Sequence, residues 1–230
     1  MRASHRRGSS SCQTDNASLV LASASPRRRA LLSLLGLPFQ VVEADVEERR
    51  LGGESPQRMV MRLSRTKAEA VAAARQERSI VIACDTIVVL EGKVLGKPAD
   101  PQEAASMLRR LRGREHSVYS GLTVLDMESA QLQTACDETE VHMRTYSDEE
   151  IAAYVATGDP LDKAGAYAIQ SASFRPVARI QGCYASVVGL PLGCVAQALR
   201  AFSLPVPSDE AVAASCAGFT GHPCCLAAVN

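Results

Sequence analysis

The sequence predicts an α/β protein, a three-layer α/β/α domain around a mixed, twisted β-sheet. Segments with the apolar pattern of strands alternate along the chain with segments that have helical spacing and helix-capping residues, as is typical of α/β domains. Residues 79–90 form a long and almost uninterrupted apolar run, which indicates a central strand buried on both faces. Glu91 and Gly92 directly after this run predict an antiparallel hairpin, so the sheet should be mixed.

The composition fits one domain with a tail at each end. Of the 230 residues, 47% are hydrophobic and 4% are aromatic, which is enough for a sizeable aliphatic core. We predict a disordered, Ser-rich tail over residues 1–17 and a domain over residues 18–203. Residues 204–230 are predicted to be a C-terminal tail of low information content that contributes nothing to a core.

Charge and hydropathy argue against several classes of function. The formal net charge is zero, which disfavours a nucleic-acid binder. No apolar stretch is long enough for a membrane span, and the start of the chain lacks the apolar core of a signal peptide. The eight cysteines include no CxxC pair, which favours reduced thiols. We therefore expect a cytoplasmic protein that binds neither nucleic acid nor membrane.

The first strand and helix predict an anion site. The apolar run from Leu19 leads into a turn in which Ser25 is a good N-cap and Pro26 suits the first helical position, and the helix should end at Gly36. Such an N-terminus offers unpaired N–H groups, and here serines precede it and three arginines open it, which suits a polyphosphate. The alternative is that residues 27–29 are solvated surface charge. Because cations in a first turn oppose the helix dipole, we favour the anion site.

The acidic loop over residues 45–48 has two interpretations. It is either a solvated surface loop or the source of a carboxylate, such as Glu48, that faces the phosphate site and binds a divalent metal or orients water. Ser55 and Pro56 then begin a helix that should run to about residue 75 and carry Lys67. Lysine is rare in this chain, with four residues against 21 arginines, and a compact ammonium is well suited to phosphate oxygens.

Asp85 lies in the middle of the central apolar run. An unpaired carboxylate would be costly there, so it must be solvated in a cleft, bound to a metal or held by hydrogen bonds. A structural aspartate that bonds a neighbouring loop is the alternative. We favour a break in the strand at Asp85 that opens into a cleft.

The remaining elements follow in a regular order. A helix begins at Asp100, and another begins at Ser147 and ends at Gly158. Between and after these helices, the pattern predicts strands over residues 117–125, 139–146 and 180–188, the last with a bend at Gly182. Residues 159–167 form a turn-rich loop, and residues 191–202 form the last helix.

Four sequence blocks resemble one family, the Maf nucleoside triphosphate pyrophosphatases. The blocks are Leu-Ala-Ser-Ala-Ser-Pro-Arg-Arg at 21–28, Cys-Asp-Thr-Ile-Val at 84–88 with Gly-Lys-Pro at 96–98, Gly-Asp-Pro-Leu-Asp-Lys-Ala-Gly-Ala-Tyr at 158–167, and Val-Val-Gly-Leu-Pro-Leu at 187–192. They occur in the family's order with compatible spacing, and the resemblance covers about residues 18–202. The fold it implies is the Maf and ITPase-like fold.

The resemblance implies a reaction and a set of site residues. Proteins of this family cleave nucleoside triphosphates between the α and β phosphates, with a divalent cation such as Mg²⁺ or Mn²⁺, to give a monophosphate and pyrophosphate. By resemblance, Asp85 is the proton acceptor that activates water. The phosphate and metal site is then lined by Ser23, Arg27, Glu48, Lys67 and Lys97, with Glu48 and Asp85 as the metal ligands.

Substrate preference is also implied by resemblance. The branch that acts on dTTP and UTP has the residues found here at Arg27, Thr86 and Gln170, whereas the branch that acts on 7-methyl-GTP has Trp, Gln and Glu. A neutral amide at Gln170 can both donate to and accept from a pyrimidine edge. The chain departs from the family at residues 171–176, where a Gly-rich turn is usual.

A second hypothesis from another class is a nucleotide-binding regulator of cell division or septum formation with little catalytic activity. Asp85, Lys67 and Lys97 argue against it, because a pure binder has no need of a buried carboxylate beside phosphate-binding cations. As partners we expect the nucleoside triphosphate and, as one option, a second copy of the chain in a homodimer.

Overall fold

A computed structural model describes residues 18–228, so the prediction for residues 1–17 lies outside the described part. The strands are β1 Ser18–Ala22, β2 Phe39–Val42, β3 Ser79–Leu90, β4 Lys93–Leu95, β5 Glu115–Asp126, β6 Leu132–Met143 and β7 Val177–Gln181. They form one sheet in the order β2-β1-β3-β5-β6-β7, with β4 paired to β3. Strand β1 is parallel to β2 and β3, and the other pairs are antiparallel, which confirms the mixed sheet.

Helices cover both faces of the sheet and complete the predicted three layers. They are α1 Pro26–Ser33, α2 Pro56–Ala73, α3 Pro101–Leu111, α4 Asp148–Ala156, α5 Tyr184–Val188, α6 Leu192–Ala201 and α7 Asp209–Thr220. Helix α2 covers one face, where its Val60 and Leu63 pack with Ile87 of β3. The other helices pack against the opposite face in two apolar clusters. Within residues 18–228, no helix combines the length and the apolar character needed to cross a membrane.

Strand β3 lies at the centre of the sheet, but its two edges differ. On one edge, β5 pairs with it almost from end to end. On the other edge, β1 pairs with residues up to Ile82 and β4 with residues from Val88, so residues 83–87 have no strand partner there within the described chain. The predicted break at Asp85 is therefore wrong, because Asp85 keeps its register opposite Gly121 of β5. The cleft opens along the unpaired edge instead.

A glycine lets helix α2 approach the sheet at this point. A Cβ atom at Gly121 would lie 2.2 Å from the carbonyl oxygen of Val60, so only glycine fits between β5 and the helix backbone. Gly121 is the ladder partner of Asp85, so the close approach holds α2 against the part of the sheet that carries Asp85. Lys67, further along α2, reaches the Asp85 carboxylate from there.

Two predicted strands differ from the structure. Strand β6 begins at Leu132 rather than at residue 139, because its polar first half is held by the long ladder with β5 and not by apolar alternation. The predicted strand over residues 180–188 ends at Gln181. Gly182 has a φ of +128°, and the Cys183 N–H donates to the Thr139 hydroxyl at 2.9 Å. The chain therefore turns at Gly182 and continues as helix α5.

The segment after residue 203 also differs from its prediction. Helix α7 is capped by the Ser208 side chain, which accepts a hydrogen bond from the Ala211 N–H. Val212 and Cys216 of this helix, with Cys224 beyond it, are buried in the same apolar cluster as α1 and α6. The expectation that residues 204–230 add nothing to a core is therefore wrong for their described part. Small apolar residues give a weak helical pattern, yet they allow close packing on a neighbouring helix.

Candidate active site

The unpaired edge of β3 borders a cleft of about 370 Å³. Its charged lining consists of five basic side chains and four carboxylates: Arg27, Arg28, Lys67, Lys97, Lys163, Glu43, Glu48, Asp85 and Asp162. Three of the four lysines in the chain line this cleft, and the fourth, Lys93, lines an adjoining cavity. Concentrating a rare residue in one place indicates that the ammonium groups serve a ligand, and phosphate oxygens are the ligand they suit.

The first turn of α1 closes one end of the cleft. Ser25 caps the helix, since its side chain accepts from the Arg28 N–H at 3.4 Å. The Ser23 hydroxyl oxygen accepts from the Ser25 N–H at 3.2 Å and from Nη1 of Arg28 at 3.4 Å. Both of these partners are donors, so the Ser23 proton is left to donate to a ligand. A helix N-terminus with a hydroxyl donor and a guanidinium is the arrangement expected of an anion site.

Two of the three arginines line the cleft in different ways. Arg28 is anchored inside it, where Nε donates to the Gly189 carbonyl at 2.9 Å and Nη2 donates to the Thr86 hydroxyl at 3.3 Å. Arg27 lies at the rim, 3.7 Å from a carboxylate oxygen of Asp162, and a third of its side chain is exposed. The Arg27 guanidinium is thus held more loosely than that of Arg28 and is free to turn toward a ligand.

Lys67 joins two carboxylates on the other side of β3. Its Nζ lies 2.6 Å from Oδ1 of Asp85 and 2.6 Å from Oε1 of Glu48. The Lys67 and Asp85 side chains are only 8% and 6% exposed, whereas that of Glu48 is 49% exposed. Asp85 is therefore neither unpaired nor bonded to a neighbouring loop. It belongs to a buried charged cluster, and Glu48 is the member that faces solvent.

The charges around Glu48 change its titration. Burial by itself would raise the pKa of this carboxyl, but the hydrogen bond and charge of Lys67, with the charges of Lys97 and Arg28, outweigh burial and hold the pKa below its ordinary value of 4.5. Glu48 is therefore a carboxylate at neutral pH. An ionised carboxylate at the mouth of a cation-rich cleft is a ligand for a divalent metal or an acceptor for water.

The donor set at Glu48 and Asp85 fits a hard divalent cation. Both residues offer carboxylate oxygens, and both already converge on one positive charge, the Lys67 ammonium. Mg²⁺ is commonly held by one or two carboxylates, with waters and substrate phosphates as the other ligands. Residues 18–228 contain no group of three or more His, Cys, Asp or Glu side chains that could hold a metal without such help. The residues present thus suit a metal that arrives with a phosphate ligand.

Two further predicted residues line the cleft without structural partners. Lys97 follows β4, is exposed, and has no ion-pair partner in the described part of the chain. Gln170 is also exposed and lines the cleft. Lys163 is different, because Asp159 and Asp162 bind its ammonium at 2.8 and 2.6 Å. Lys97 is therefore the lysine of the lining that is most available to an added anion.

Comparisons with known proteins match nearly all of the described chain. The family model described as Maf-like protein matches residues 18–202. The chain belongs to the Maf family. A dTTP/UTP pyrophosphatase from Pelotomaculum thermopropionicum is 48% identical over 188 residues, which are 82% of this chain and 98% of that protein. A dTTP/UTP pyrophosphatase from Geotalea uraniireducens is 50% identical over 182 residues, which are 79% of this chain and 93% of that protein.

One solved structure shows a distant similarity to this chain. It is a nucleoside-triphosphatase, or dITP/XTP pyrophosphatase, from Mycobacterium abscessus, with a TM-score of 0.36 and 15% identity. The match covers 55% of this chain and 74% of that one.

The Maf blocks that are far apart in sequence meet at the cleft. All eight residues that the sequence predicted for the site are found in the lining of this cleft. They are Ser23, Arg27, Glu48, Lys67, Asp85, Thr86, Lys97 and Gln170. Sequence reasoning favoured an anion site at residues 27–29 but did not single out Arg28 as a site residue. Helical spacing contains the signal, because Arg28 lies three, four and seven positions before the buried residues Leu31, Leu32 and Leu35 and so shares their face of α1.

Residues 171–176, where the sequence was expected to depart from the family, are firmly anchored. Phe174 is buried and stacks on the Tyr154 ring at a centroid distance of 4.3 Å. Arg144 donates to the carbonyl oxygens of Phe174 at 2.6 Å and of Arg175 at 2.8 Å. These contacts hold residues 171–176 in place next to Gln170.

Proposed function

We propose that this protein hydrolyses nucleoside triphosphates, with dTTP and UTP as preferred substrates, to the monophosphate and pyrophosphate. Two observations support the proposal. Curated relatives that share about half of the aligned residues are dTTP/UTP pyrophosphatases. The single structural observation that carries it is the position of Asp85, a buried carboxylate paired with Lys67 at the edge of a cation-rich cleft.

In the proposed mechanism, the triphosphate lies along the α1 N-terminus. Ser23 donates a hydrogen bond to a phosphate oxygen, and Arg28, Lys67 and Lys97 neutralise its charge, with Arg27 closing from the rim. Asp85 accepts the proton of the water that attacks the phosphorus atom. Phosphoryl transfer of this kind depends on positioning and charge neutralisation, and it needs no covalent intermediate.

A divalent cation has a defined place in this proposal. Glu48 and Asp85 would hold it, for the reasons of donor chemistry given above, and when bound it would add positive charge next to the phosphates. Lys67 holds the two carboxylates close together, since its ammonium lies 2.6 Å from an oxygen of each. The dependence on Mg²⁺ or Mn²⁺ is part of the proposal, as are the roles of the individual residues.

Substrate preference is proposed to depend on Arg27, Thr86 and Gln170. The exposed amide of Gln170 can both donate to and accept from a uracil or thymine edge. The anchored segment at residues 171–176 fixes the backbone that follows this amide. A homodimer and a cytoplasmic location stay predictions.

The test is product analysis with purified protein, Mg²⁺ or Mn²⁺ and a panel of dTTP, UTP and 7-methyl-GTP. We expect pyrophosphate with dTMP from dTTP, and a higher kcat/KM for dTTP and UTP than for 7-methyl-GTP. Orthophosphate with dTDP would contradict cleavage between the α and β phosphates. Tight binding of dTTP without turnover would favour the nucleotide-binding regulator instead.

A further inference from the structure

A line of hydrogen bonds connects Arg28 to the interior of the protein. Nη2 of Arg28 lies 3.3 Å from the Thr86 hydroxyl oxygen. That oxygen lies 2.8 Å from the hydroxyl of Ser120, the ladder partner of Thr86 on β5. The Ser120 hydroxyl donates in turn to the main-chain carbonyl of Ser186 in α5 at 2.9 Å. Ser120 is completely buried, and its hydroxyl lies behind the lining of the cleft rather than in it.

The chemistry of the two ends fixes the direction of every bond in this line. A guanidinium can only donate, and a carbonyl oxygen can only accept. The single proton of Ser120 is used by the Ser186 carbonyl, so Ser120 must accept from Thr86. The proton of Thr86 is then used by Ser120, and its oxygen is left to accept from Arg28. Neither hydroxyl has an alternative orientation that keeps all three bonds.

We propose that Ser120 is a positioning residue that acts through Thr86 on the Arg28 guanidinium. The inference rests on the proposed function in one respect, that Arg28 binds the triphosphate. It assigns a role to Ser120, which does not touch the ligand, and it changes the role of Thr86. Because the Thr86 proton is committed to Ser120, Thr86 contributes by holding Arg28 and not by donating to a nucleotide.

Helix α5 and the residue that follows it anchor both ends of the arrangement. The Arg28 Nε bond ends on the carbonyl of Gly189, three residues after the Ser186 carbonyl that ends the hydroxyl line. Gly189 has a φ of +127°, and a Cβ atom there would lie 3.4 Å from Arg28 Nε, so the backbone comes very close to the guanidinium. Two of the nitrogens of Arg28 are therefore fixed to α5 or the residue directly after it by two different routes, one direct and one through Thr86 and Ser120.

The experiment is a double-mutant cycle with Thr86→Val and Ser120→Ala, measured as KM and kcat for dTTP. Each single change should raise KM about three- to tenfold, the scale of one net hydrogen bond, and leave kcat within about twofold. Since Ser120 acts only through Thr86, Ser120→Ala should cause no further rise in KM when Thr86 is already Val. Thr86→Ser keeps the hydroxyl and should restore a KM close to that of the wild type.

Ser64→Ala is the matched control. The Ser64 hydroxyl is equally buried, lies 2.9 Å from the Thr123 hydroxyl and donates to the Met61 carbonyl at 3.0 Å, but Ser64 belongs to α2, faces β5 and does not line the cleft. Its loss should lower the melting temperature about as much as Ser120→Ala and leave KM unchanged. If Ser120→Ala misfolds, Ser120→Cys provides a weaker donor of similar size, for which an intermediate KM is expected.

The outcomes separate the two proposals. Additive effects of Thr86→Val and Ser120→Ala on KM, or a Ser120→Ala effect equal to that of Ser64→Ala, would overturn the role of Ser120. If the wild-type protein releases no pyrophosphate, the proposed function fails. The same cycle is then measured as the dissociation constant for dTTP by calorimetry, where coupled effects support the positioning role and additive ones reject it.

Discussion

Two neighbouring residues of β3, Asp85 and Thr86, point to opposite faces of the sheet, yet both line one cleft. On the α2 face, Asp85 belongs to a cluster of three charged groups with Lys67 and Glu48. On the α5 face, Thr86 belongs to a line of neutral hydroxyls that holds one charged group, Arg28. Because β3 lacks a strand partner beside these residues, a ligand at the open edge can reach both faces. A strand that is paired along both edges could present only one face to a ligand.

The two faces position their side chains by different physical means. The charged face depends on mutual neutralisation, since removing one member of a buried ion pair leaves an uncompensated charge that is costly. On the neutral face, side-chain position depends on the direction of the hydrogen bonds, because each hydroxyl has a single proton and donates it to a single acceptor. Net hydrogen bonds contribute about 0.5–1.5 kcal/mol each, so changes on the neutral face should have smaller effects than changes on the charged face.

The largest effect is expected from Asp85→Asn. The substitution keeps the size of the side chain but removes its charge and its basic oxygen, so kcat should fall by about 10² or more, the scale of a lost acid–base group. Lys67 keeps its pair with Glu48, so the protein should fold. The measurements are single-turnover pyrophosphate release and melting temperature, with Asp126→Asn outside the cleft as the control. Turnover close to that of the wild type would remove Asp85 from the chemistry.

A second prediction concerns the contact that brings α2 to the sheet. In Gly121→Ala, the new Cβ would meet the Val60 carbonyl at 2.2 Å, so α2 must shift, at a cost of about 1–3 kcal/mol in the free energy of unfolding. The activity of Gly121→Ala should fall as well, because the shift of α2 would separate Lys67 from Asp85. Gly218→Ala is the control, since a Cβ on α7 meets nothing within 4 Å and should be neutral or stabilising. Equal melting temperatures for the two variants would contradict the contact.

A smaller effect on stability than that of Gly121→Ala is expected from Glu48→Gln, and it should depend on pH. Because the folded-state pKa of Glu48 lies below its ordinary value, the ion pair with Lys67 stabilises the fold fully above about pH 4.5 and loses this effect as the pH falls through the folded-state pKa. The variant should melt below the wild type at pH 7, and the difference should close in acid below pH 4.5. A difference that stays constant between pH 7 and pH 3.5 would show that charge is not its cause.

Local signals predicted most elements well. The Ser25 cap and the proline after it start α1 as expected, and the capping box at Ser147 and Glu150 starts α4. The central apolar run was predicted over residues 79–90 and forms β3 with the same bounds. Prediction was poorest where contacts between distant segments decide the structure. The turn at Gly182 depends on Thr139, and the packing of α7 depends on surfaces of α5 and α6 that no local pattern reveals.

The sequence by itself determined the starts of α1, α2, α3, α4 and α6, the central strand, the family and eight of the residues that line the cleft. These depend on signals that act over a few residues, such as capping, apolar period and block motifs. The tertiary structure alone decided which of these side chains touch. Lys67 meets Asp85 across 18 residues, and Arg28 meets Thr86 across 58 and Gly189 across 161. Such meetings depend on ladder register and on the space at Gly121, because a shift of one residue along β3 would turn Asp85 and Thr86 to the opposite faces of the sheet.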